Sequence, residues 1–353
     1  MTSPRTSTHA RATWLFQLGT AVVVLALAAL VAAAHASASK RVEGVRADLK
    51  HGTLRVKSGD GGQQVALRLK AGDPSRIQVD AGNDGSPDFS FDRGDVRAIQ
   101  VKMGDGNDSA RIDDGNGAFT TSTPTTIAGG DGNDSLEGGQ IQVAAENETY
   151  KGGAGNDLVD GGKGADTAYL GAGNDTFRWD NGEGSDVIEG QEDTDTMLFN
   201  GAAIAENVTI SANGGRLNFF RTQGNVTMDT DDVEIVTDNA LGGADSVTVG
   251  DLTGTDVTQT NLDLAAALGG NAPDGAVDSV MVNGTNGDDN IAVSGNGSGA
   301  DVIGLATAIS VRHADATDTD ATDTLSVNTL AGTDHVTPSG VFGLQVLADG
   351  VVL

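Results

Sequence analysis

The sequence predicts an all-β protein, built as a parallel β-roll or β-helix solenoid with Gly/Asp turns. A nine-residue pattern of glycine, aspartate and one apolar residue recurs between residues 129 and 198. Short segments of alternating apolar and polar residues, bounded by turn residues, flank this pattern on both sides. Aromatic residues make up 4% of the chain and 51 of its 353 residues are glycine, so a thick globular core is not expected.

The chain begins with the features of a secretory signal peptide, to which residues 1–38 are assigned. Basic residues precede the unbroken apolar run Ala21–Ala34, and small-residue cleavage patterns follow at Ala34–Ala38. The alternative is an uncleaved anchor that starts at Trp14, since this mostly apolar stretch is about long enough to cross a bilayer. Both interpretations predict that the remainder is exported, and no transmembrane span is predicted in the mature chain.

The lack of cysteine and the distribution of charge narrow the classes of function. Without cysteine, an exported chain with a thin core needs a stabilising element other than disulfides. Residues 39–111 carry 13 Lys/Arg against 11 Asp/Glu, whereas residues 112–353 carry 6 against 39. This acidic excess disfavours nucleic acid and anionic membrane surfaces as partners.

Residues 39–128 are predicted to form a strand-rich N-terminal region. Alternation and turn signals predict strands at Ala47–Val56, Val65–Leu69, Arg76–Val79, Phe89–Phe91 and Ala98–Lys102. The segment Met103–Ala110 approaches the nine-residue pattern and places Asp108 in its carboxylate position. Asp108 is therefore a candidate metal ligand.

Residues 129–201 form the repeat block, whose units follow G-G-x-G-x-D-x-U-x, with U apolar. The residue two places after each of seven carboxylates is apolar. In a chain that is 38% apolar this is far more often than chance predicts, so the nine-residue register is a true repeat. These residues are Leu136, Tyr150, Val159, Ala168, Phe177, Ile188 and Met197. The glycines permit a tight turn, the carboxylate ends it, and x-U-x forms a short strand with U pointing inward.

Two units make one 18-residue coil, so alternate turns are predicted to stack. Gly152–Asp157 should lie over Leu170–Asp175, and Gly161–Asp166 over Asn181–Asp186. A third pair joins Leu170–Asp175 to Gly190–Asp195. Two stacked turns together approach the six to eight oxygens that calcium takes. The three stacked pairs therefore predict about three or more Ca²⁺ ions. The candidate metal-binding residues are Asp108, Asp131, Asp134, Gly152, Gly153, Gly155, Asp157, Gly161, Gly162, Gly164, Asp166, Gly171, Gly173, Asp175, Gly184, Asp186 and Asp195.

The repeat resembles the RTX, or hemolysin-type, calcium-binding nonapeptide of secreted proteins over Gly129–Glu137 and Gly152–Leu198. The resemblance implies a β-roll with calcium in its turns and a secreted, extracellular location. Many RTX proteins leave the cell by a type I route without an N-terminal signal, whereas this chain resembles a Sec substrate. Retention at the cell surface remains an open alternative.

The sequence also predicts the roles of an insertion, a tryptophan and three asparagines within the repeat block. The insertion Gln140–Ala145 is expected to interrupt the metal ladder. Trp179 is expected to cover the edge of the roll. Asn133, Asn156 and Asn174 precede aspartates, where an amide oxygen could join the metal shell or the residue could support a left-handed turn. The left-handed turn conformation is the expected role.

Residues 202–353 are predicted to continue as a degenerate β-solenoid. The D-x-U core recurs there without its glycines, and of these positions Gly287–Asp289 is the strongest candidate for a late metal site. The aspartates in question are Asp245, Asp278, Asp289, Asp323 and Asp334.

No enzyme motif stands out in the sequence. It contains no H-E-x-x-H, no G-x-S-x-G and no cysteine nucleophile. The leading hypothesis is a non-enzymatic calcium-binding protein with a structural or surface-interaction role, whose partner would be a cell-surface or extracellular polymer. The alternatives are a polysaccharide-active β-helix enzyme of lyase or epimerase type, and a solenoid whose Gly/Asp turns bend the chain without calcium.

Overall fold

A computed structural model describes residues 41–141, 147–315, 322–340 and 342–353. The predicted signal peptide and most of the insertion Gln140–Ala145 lie outside the described residues. Residues Arg41–Leu353 form one compact unit. Within the described part of the chain, no helix is long and apolar enough to cross a membrane.

Thirty strands and two short 3₁₀ turns, Arg93–Asp95 and Gln223–Asn225, account for the regular structure of the described residues. The first fifteen strands are β1 (Arg41–Val42), β2 (Val45–Lys50), β3 (Thr53–Lys57), β4 (Gln64–Lys70), β5 (Asp73–Ala81), β6 (Phe89–Asp92), β7 (Ala98–Asp105), β8 (Ser109–Asp113), β9 (Thr125–Asp131), β10 (Ser135–Glu137), β11 (Glu148–Ala154), β12 (Leu158–Asp160), β13 (Thr167–Ala172), β14 (Thr176–Trp179) and β15 (Val187–Glu192). The remainder are β16 (Thr196–Asn200), β17 (Asn207–Asn213), β18 (Arg216–Arg221), β19 (Val226–Asp231), β20 (Ile235–Asn239), β21 (Ser246–Val249), β22 (Gln259–Asp263), β23 (Ser279–Asn283), β24 (Asn290–Gly295), β25 (Ala300–Ile303), β26 (Ala308–Arg312), β27 (Thr324–Asn328), β28 (His335–Ser339), β29 (Gln345–Ala348) and β30 (Val351–Val352).

The strands form two long sheets, between which the chain alternates. Sheet A has the order β1-β2-β3-β7-β9-β11-β13-β15-β19-β18-β17-β21-β23-β27-β29-β30. Sheet B has the order β28-β24-β25-β26-β22-β20-β16-β14-β12-β10-β8-β4-β5-β6. From β7 to β14 each strand pairs in parallel with the strand two later in the chain. This is the parallel β-roll that the repeat pattern predicts.

The core lies between the two sheets and is built from the inward apolar residue of each unit. In sheet B, Leu136, Val159, Phe177 and Met197 occupy consecutive register positions, and each is at most 1% exposed. In sheet A, Tyr150, Ala168 and Ile188 are fully buried in the same way. All seven residues that the pattern predicts to point inward do so.

Trp179 belongs to this core, so the prediction that it covers the edge of the roll is wrong. It is 0% exposed, and its ring stacks on Phe199 with centroids 4.0 Å apart. Its indole N–H donates to the carbonyl of Gly184 at 2.8 Å, which satisfies the polar atom. Trp179 ends β14, where its side chain follows the inward position of Phe177 by two residues.

Antiparallel hairpins interrupt the parallel stack at a few positions. The predicted single strand Ala47–Val56 is instead the hairpin β2–β3, because His51 and Gly52 adopt φ angles of 52° and 82° and reverse the chain. Strands β17, β18 and β19 form a second antiparallel insertion between two coils of sheet A. Both insertions leave the two-sheet architecture intact.

Candidate metal centre

The Gly/Asp turns lie along the two edges at which the chain crosses between the sheets. Gly152–Asp157 connects β11 of sheet A to β12 of sheet B, and Gly161–Asp166 connects β12 back to β13 of sheet A. We call the side of the A-to-B turns edge one and the side of the B-to-A turns edge two. Because coils stack in parallel, successive carboxylates on one edge come to lie above one another.

On edge one the aspartates form a continuous ladder. The backbone N–H of Asp134 donates to Oδ1 of Asp157 at 2.8 Å, and the N–H of Asp157 donates to Oδ1 of Asp175 at 2.7 Å. The same bond links Asp108 to Asp134 and Asp175 to Asp195. The ladder therefore brings together five of the predicted carboxylate ligands.

Each of these carboxylates keeps one oxygen with no hydrogen-bond donor. The oxygen is Oδ2, and the residues are at most 3% exposed. Burying an ionised oxygen without a partner is costly, so eight such atoms at corresponding positions fit the binding of cations along the edges. The eight residues are Asp108, Asp134, Asp157, Asp166, Asp175, Asp186, Asp195 and Asp245.

Glycine at the first position of a unit keeps backbone oxygens close to this free Oδ2. A Cβ at Gly152 would lie under 3.0 Å from Oδ2 of Asp157 and from the carbonyl oxygen of Leu170 on the next coil. A side chain at this position would fill the space between a carboxylate oxygen and a main-chain carbonyl. Hard oxygen ligands of these two kinds suit Ca²⁺, so the residues present fit a calcium ion.

The electrostatics of the metal-free ladder favour protonation. Burial raises the pKa of Asp134 to about 6 and those of Asp157 and Asp195 to about 7. Neighbouring carboxylates raise the pKa values of all three further, whereas the backbone N–H that each accepts lowers them. A divalent cation would relieve the same desolvation and repulsion that raise these values.

Edge two carries a shorter ladder of the same type. The N–H of Glu148 donates to Oδ1 of Asp166 at 2.6 Å, and the N–H of Asp166 donates to Oδ1 of Asp186 at 2.8 Å. Burial, followed by repulsion from Asp186 and Glu148, raises the pKa of Asp166 to about 10. Glu148 therefore occupies a ladder position although its unit lacks the flanking glycines.

The ladder on edge two resumes beyond the β17–β19 insertion. Glu206, Asp245, Asp278 and Asp323 are linked in series by backbone N–H to carboxylate bonds of 2.7–2.8 Å. Burial is the largest cause of the raised pKa of Asp278, which reaches about 8. Sequence analysis did not place Glu206 in this row and assigned no metal to the other three. The Glu206 carboxylate already accepts from Arg221 and from the backbone N–H of Ala202, so it is a ladder member but not a candidate metal ligand. The signal was present, because Val208 follows Glu206 by two residues, as in every repeat unit.

Asp289 is poorly suited to a metal compared with the ladder aspartates. Its Oδ2 accepts the backbone N–H of Thr285 at 2.8 Å, and its Oδ1 accepts the Thr285 hydroxyl at 2.9 Å. Both carboxylate oxygens thus already have donors. The segment Gly287–Asp289 shows no free carboxylate oxygen of the kind found in the repeat block.

The asparagines before the aspartates form a second ladder, so the prediction of a left-handed conformation is wrong. None of Asn133, Asn156 and Asn174 has a positive φ. Oδ1 of Asn133 accepts the N–H of Asn156 at 2.9 Å, and Oδ1 of Asn156 accepts the N–H of Asn174 at 3.1 Å. The amide oxygens point toward the later coil and the aspartate oxygens toward the earlier one, so adjacent coils are bonded in both directions.

The insertion Gln140–Ala145 does not interrupt the ladder on edge one, contrary to the sequence prediction. Asp134 and Asp157 are bonded directly across it, and β10 pairs with β12 in regular register. In the chain, the insertion falls between β10 of sheet B and β11 of sheet A, and its residues 142–145 lie outside the described residues. The stacking of edge one is regular on both sides of it.

The turn Gly190–Asp195 lacks the second and fourth glycines of the pattern but retains the left-handed backbone angles of the other turns. Gln191 and Asp193 adopt φ angles of 82° and 76° at the positions where the preceding turn has Gly171 and Gly173. A left-handed conformation costs a non-glycine residue roughly 1–2 kcal/mol. Asp195 nevertheless stays in the ladder, accepting from the N–H of Asp175 at 2.9 Å.

Of the other candidate ligands, Asp131 differs from the ladder aspartates. It is exposed at the end of β9, outside the buried row of carboxylates. The candidate glycines all lie in the stacked turns, and those with positive φ are Gly153, Gly155, Gly162, Gly164, Gly171 and Gly173. Gly161 and Gly184, like Gly152, are positions where a Cβ would lie under 3.0 Å from a ligand carboxylate or a stacked carbonyl.

The comparisons with known proteins agree with this geometry. The family model described as the RTX calcium-binding nonapeptide repeat (4 copies) matches residues 121–140, 144–177 and 182–201. These ranges contain the best-formed part of both ladders. No curated protein and no solved structure matches the chain. The chain thus resembles hemolysin-type calcium-binding repeat proteins and carries calcium-binding repeats in a β-roll.

Proposed function

We propose that this chain is an exported calcium-binding protein that folds into its β-roll when Ca²⁺ binds at the stacked turns, and that its role is structural or surface-interacting rather than enzymatic. The row of buried Oδ2 atoms without donors is the observation that carries the proposal. The secretory signal peptide predicted for residues 1–38 supports an extracellular location. The repeat match supports calcium as the ion.

The residues that would hold the ion are the ladder aspartates, through Oδ2, together with main-chain carbonyls of the adjacent coil. Bound Ca²⁺ would supply the positive charge that stacked carboxylates need. The chain from residue 112 onward has 39 acidic and 6 basic residues, so without that charge the coils repel one another. The ligands are assembled from different coils, which couples binding to folding.

The proposed number of ions is about three or more, counted from the stacked pairs of complete turns. Extracellular modules of this kind bind Ca²⁺ with Kd values on the order of 10⁻⁴–10⁻³ M. Calcium at such concentrations is found outside cells, so the chain would fold after export.

Circular dichroism of residues 39–353 with a chelator and with millimolar calcium tests the proposal. We expect a largely unordered spectrum in chelator and a β spectrum in calcium. Replacement of Asp157, Asp166 and Asp175 by alanine should remove most of the calcium-induced signal, whereas replacement of the exposed Asp251 should not. Identical spectra with and without calcium would refute the proposal.

A further inference from the structure

A row of basic side chains runs across the outer face of sheet A in this otherwise acidic protein. Strand pairing places Arg46 opposite Lys57, Lys57 opposite Lys102, and Lys102 next to Ala128, which is opposite Lys151. We call Arg46, Lys57, Lys102 and Lys151 the basic row. All four side chains are exposed. With strands about 4.8 Å apart, the basic row and the adjoining Tyr169 on β13 extend over ~24 Å.

The four cations of the basic row differ from most others in having no acidic partner among the described residues. Arg55, Arg68 and Arg178 each lie within 4.0 Å of a carboxylate. The same holds for Lys70, Arg111, Arg216, Arg221 and Arg312. Unneutralised basic side chains in one register row, broken only by Ala128, produce a local positive field on a chain of net charge −29. Such a field attracts an extended anion that lies across the strands.

The surface around the basic row is concave and is lined mainly by polar side chains. A depression of about 520 Å³ is lined by Lys102, Lys151 and Tyr169 with Gln100, Thr126 and Thr149. A second depression of about 290 Å³ shares Lys151 and Tyr169 and adds Gln191. The small Ala128 between the two lysines leaves room for a ligand, and hydroxyl and amide groups line it. Tyr169 is 39% exposed and offers a ring edge and face, with the Lys151 ammonium 5.7 Å from its centroid.

We propose that the basic row is a binding surface for a linear polysaccharide that carries carboxylate groups. The lysines would pair with the carboxylates, the threonine and glutamine side chains would bond sugar hydroxyls, and Tyr169 would pack against a sugar ring. A nucleic acid is disfavoured because its denser charge is repelled by the acidic remainder of the chain. The proposal goes beyond calcium binding, because the polymer would contact none of the ladder residues. It rests on the proposed function in one respect, since sheet A forms only when the roll is folded.

Fluorescence anisotropy with labelled oligosaccharides in millimolar calcium tests this surface. The probe is a hexamer of galacturonic acid, and the comparison ligands are a neutral glucose hexamer and a thymidine hexanucleotide. We expect binding of the uronate hexamer that weakens as salt rises, with at least about tenfold weaker binding of both comparison ligands. No binding of the uronate, or equal binding of the neutral hexamer, would overturn the proposal. Equal or tighter binding of the oligonucleotide would replace it with a nucleic-acid surface.

Charge reversal locates the site. The double variant Lys102→Glu/Lys151→Glu should lose at least about tenfold in uronate affinity. Lys70→Glu/Arg76→Glu makes the same change in net charge on β4 and β5 of sheet B and should stay within about twofold of the unmodified chain. Tyr169→Ala keeps every charge and should weaken binding without changing its salt dependence. Circular dichroism in calcium confirms that each variant is folded, so a loss of binding in a folded variant is distinct from a failure of calcium-dependent folding. Equal loss in both double variants would show that net charge alone is responsible and would overturn the assignment.

Discussion

At the scale of single residues, the ladder aspartate has two separate tasks, one for each carboxylate oxygen. Oδ1 of Asp157 accepts a backbone N–H from the neighbouring coil, while Oδ2 remains free for a cation. The side chain thus positions the turn, and in the proposed site it would also supply a metal ligand. Substitutions can separate the two tasks, because asparagine keeps Oδ1 but replaces Oδ2 by an NH₂ group.

Asp157→Asn should therefore weaken calcium binding and leave the stacking bond intact. Loss of one charge at a buried ligand position should weaken affinity by about tenfold or more, equal to about 1.4 kcal/mol per tenfold. Calorimetric titration with calcium measures it. Asp251→Asn makes the same chemical change at an exposed turn and serves as the control. Unchanged affinity in Asp157→Asn would show that Oδ2 of this residue is not a ligand.

Without calcium, the fold should become more stable as the pH falls. Asp134, Asp157 and Asp195 have folded pKa values raised to about 6 or 7, against about 3.9 when unfolded. A carboxyl with a raised folded pKa stabilises the fold fully below the unfolded pKa, and that contribution is lost as the pH rises through 6 to 7.

Thermal unfolding in chelator measures this dependence. A cooperative melting transition in chelator should be present at pH 4.5, should move to lower temperature as the pH rises and should be lost by pH 7.5, where added calcium should restore it. In two buffers of different ionisation enthalpy, calcium titrations near pH 6.5 should show proton release. A melting temperature that rises with pH in chelator would contradict the burial of neutral carboxyls in the ladders.

At the scale of elements, the β17–β19 insertion separates two segments of the ladder on edge two, and an arginine lies at the junction. The Arg221 guanidinium pairs with Glu206, and both side chains are at most 5% exposed. It also donates to Oδ1 of Asn181, in the turn of the preceding coil, and its Cζ lies 5.5 Å from the Trp179 ring centroid. A fixed side-chain cation thus occupies the junction where the repeat is broken.

Arg221→Met should consequently destabilise the fold even in saturating calcium. Removing one partner of a buried ion pair leaves the other uncompensated and costs about 3–5 kcal/mol. Adding Glu206→Gln should recover much of the loss, which chemical denaturation of both variants would measure. Arg312→Met, whose ion pair with Asp301 is about one third exposed, is the control and should cost about 1 kcal/mol or less. If the single and double variants were equally unstable, charge would not be the cause.

Sequence patterns predicted the elements of the repeat block better than their surroundings. The apolar position of each unit fixed which residues point inward, because a strand alternates strictly between two faces. Trp179 was misplaced because two inserted residues obscure its strand position. The asparagine ladder and the extension through Glu206 depend on which coils lie side by side. A single sequence does not show that pairing once coil lengths vary from 18 to 45 residues.

At the scale of the whole molecule, the two sheets make every coil depend mainly on its neighbours. Solenoids of this type have stabilities that are approximately sums of coil and interface contributions. In the proposed sites each calcium ion would be shared by stacked turns, so an ion at one site would order the coil that the next site requires. Binding should therefore be cooperative along the roll.

Trp179 should report this transition for the whole chain. It is the one tryptophan of residues 39–353, and it is 0% exposed in the folded state. Its emission should shift to shorter wavelength as calcium is added, with a Hill coefficient above 1. The neutral core variant Phe199→Leu should keep cooperativity while lowering stability by about 1 kcal/mol. A gradual, non-cooperative shift would indicate sites that fill independently.

The unequal spacing of the aspartate ladder has a mechanical consequence. Consecutive rungs on edge one are 26, 23, 18 and 20 residues apart. If the roll is pulled from its ends, each broken rung frees one coil, and an extended residue contributes about 3.4 Å. The stretched chain should lengthen in steps of roughly 6–9 nm, and the length of each step should match the number of residues in the coil that is released. A force–extension trace would thus read out the stacking order one coil at a time.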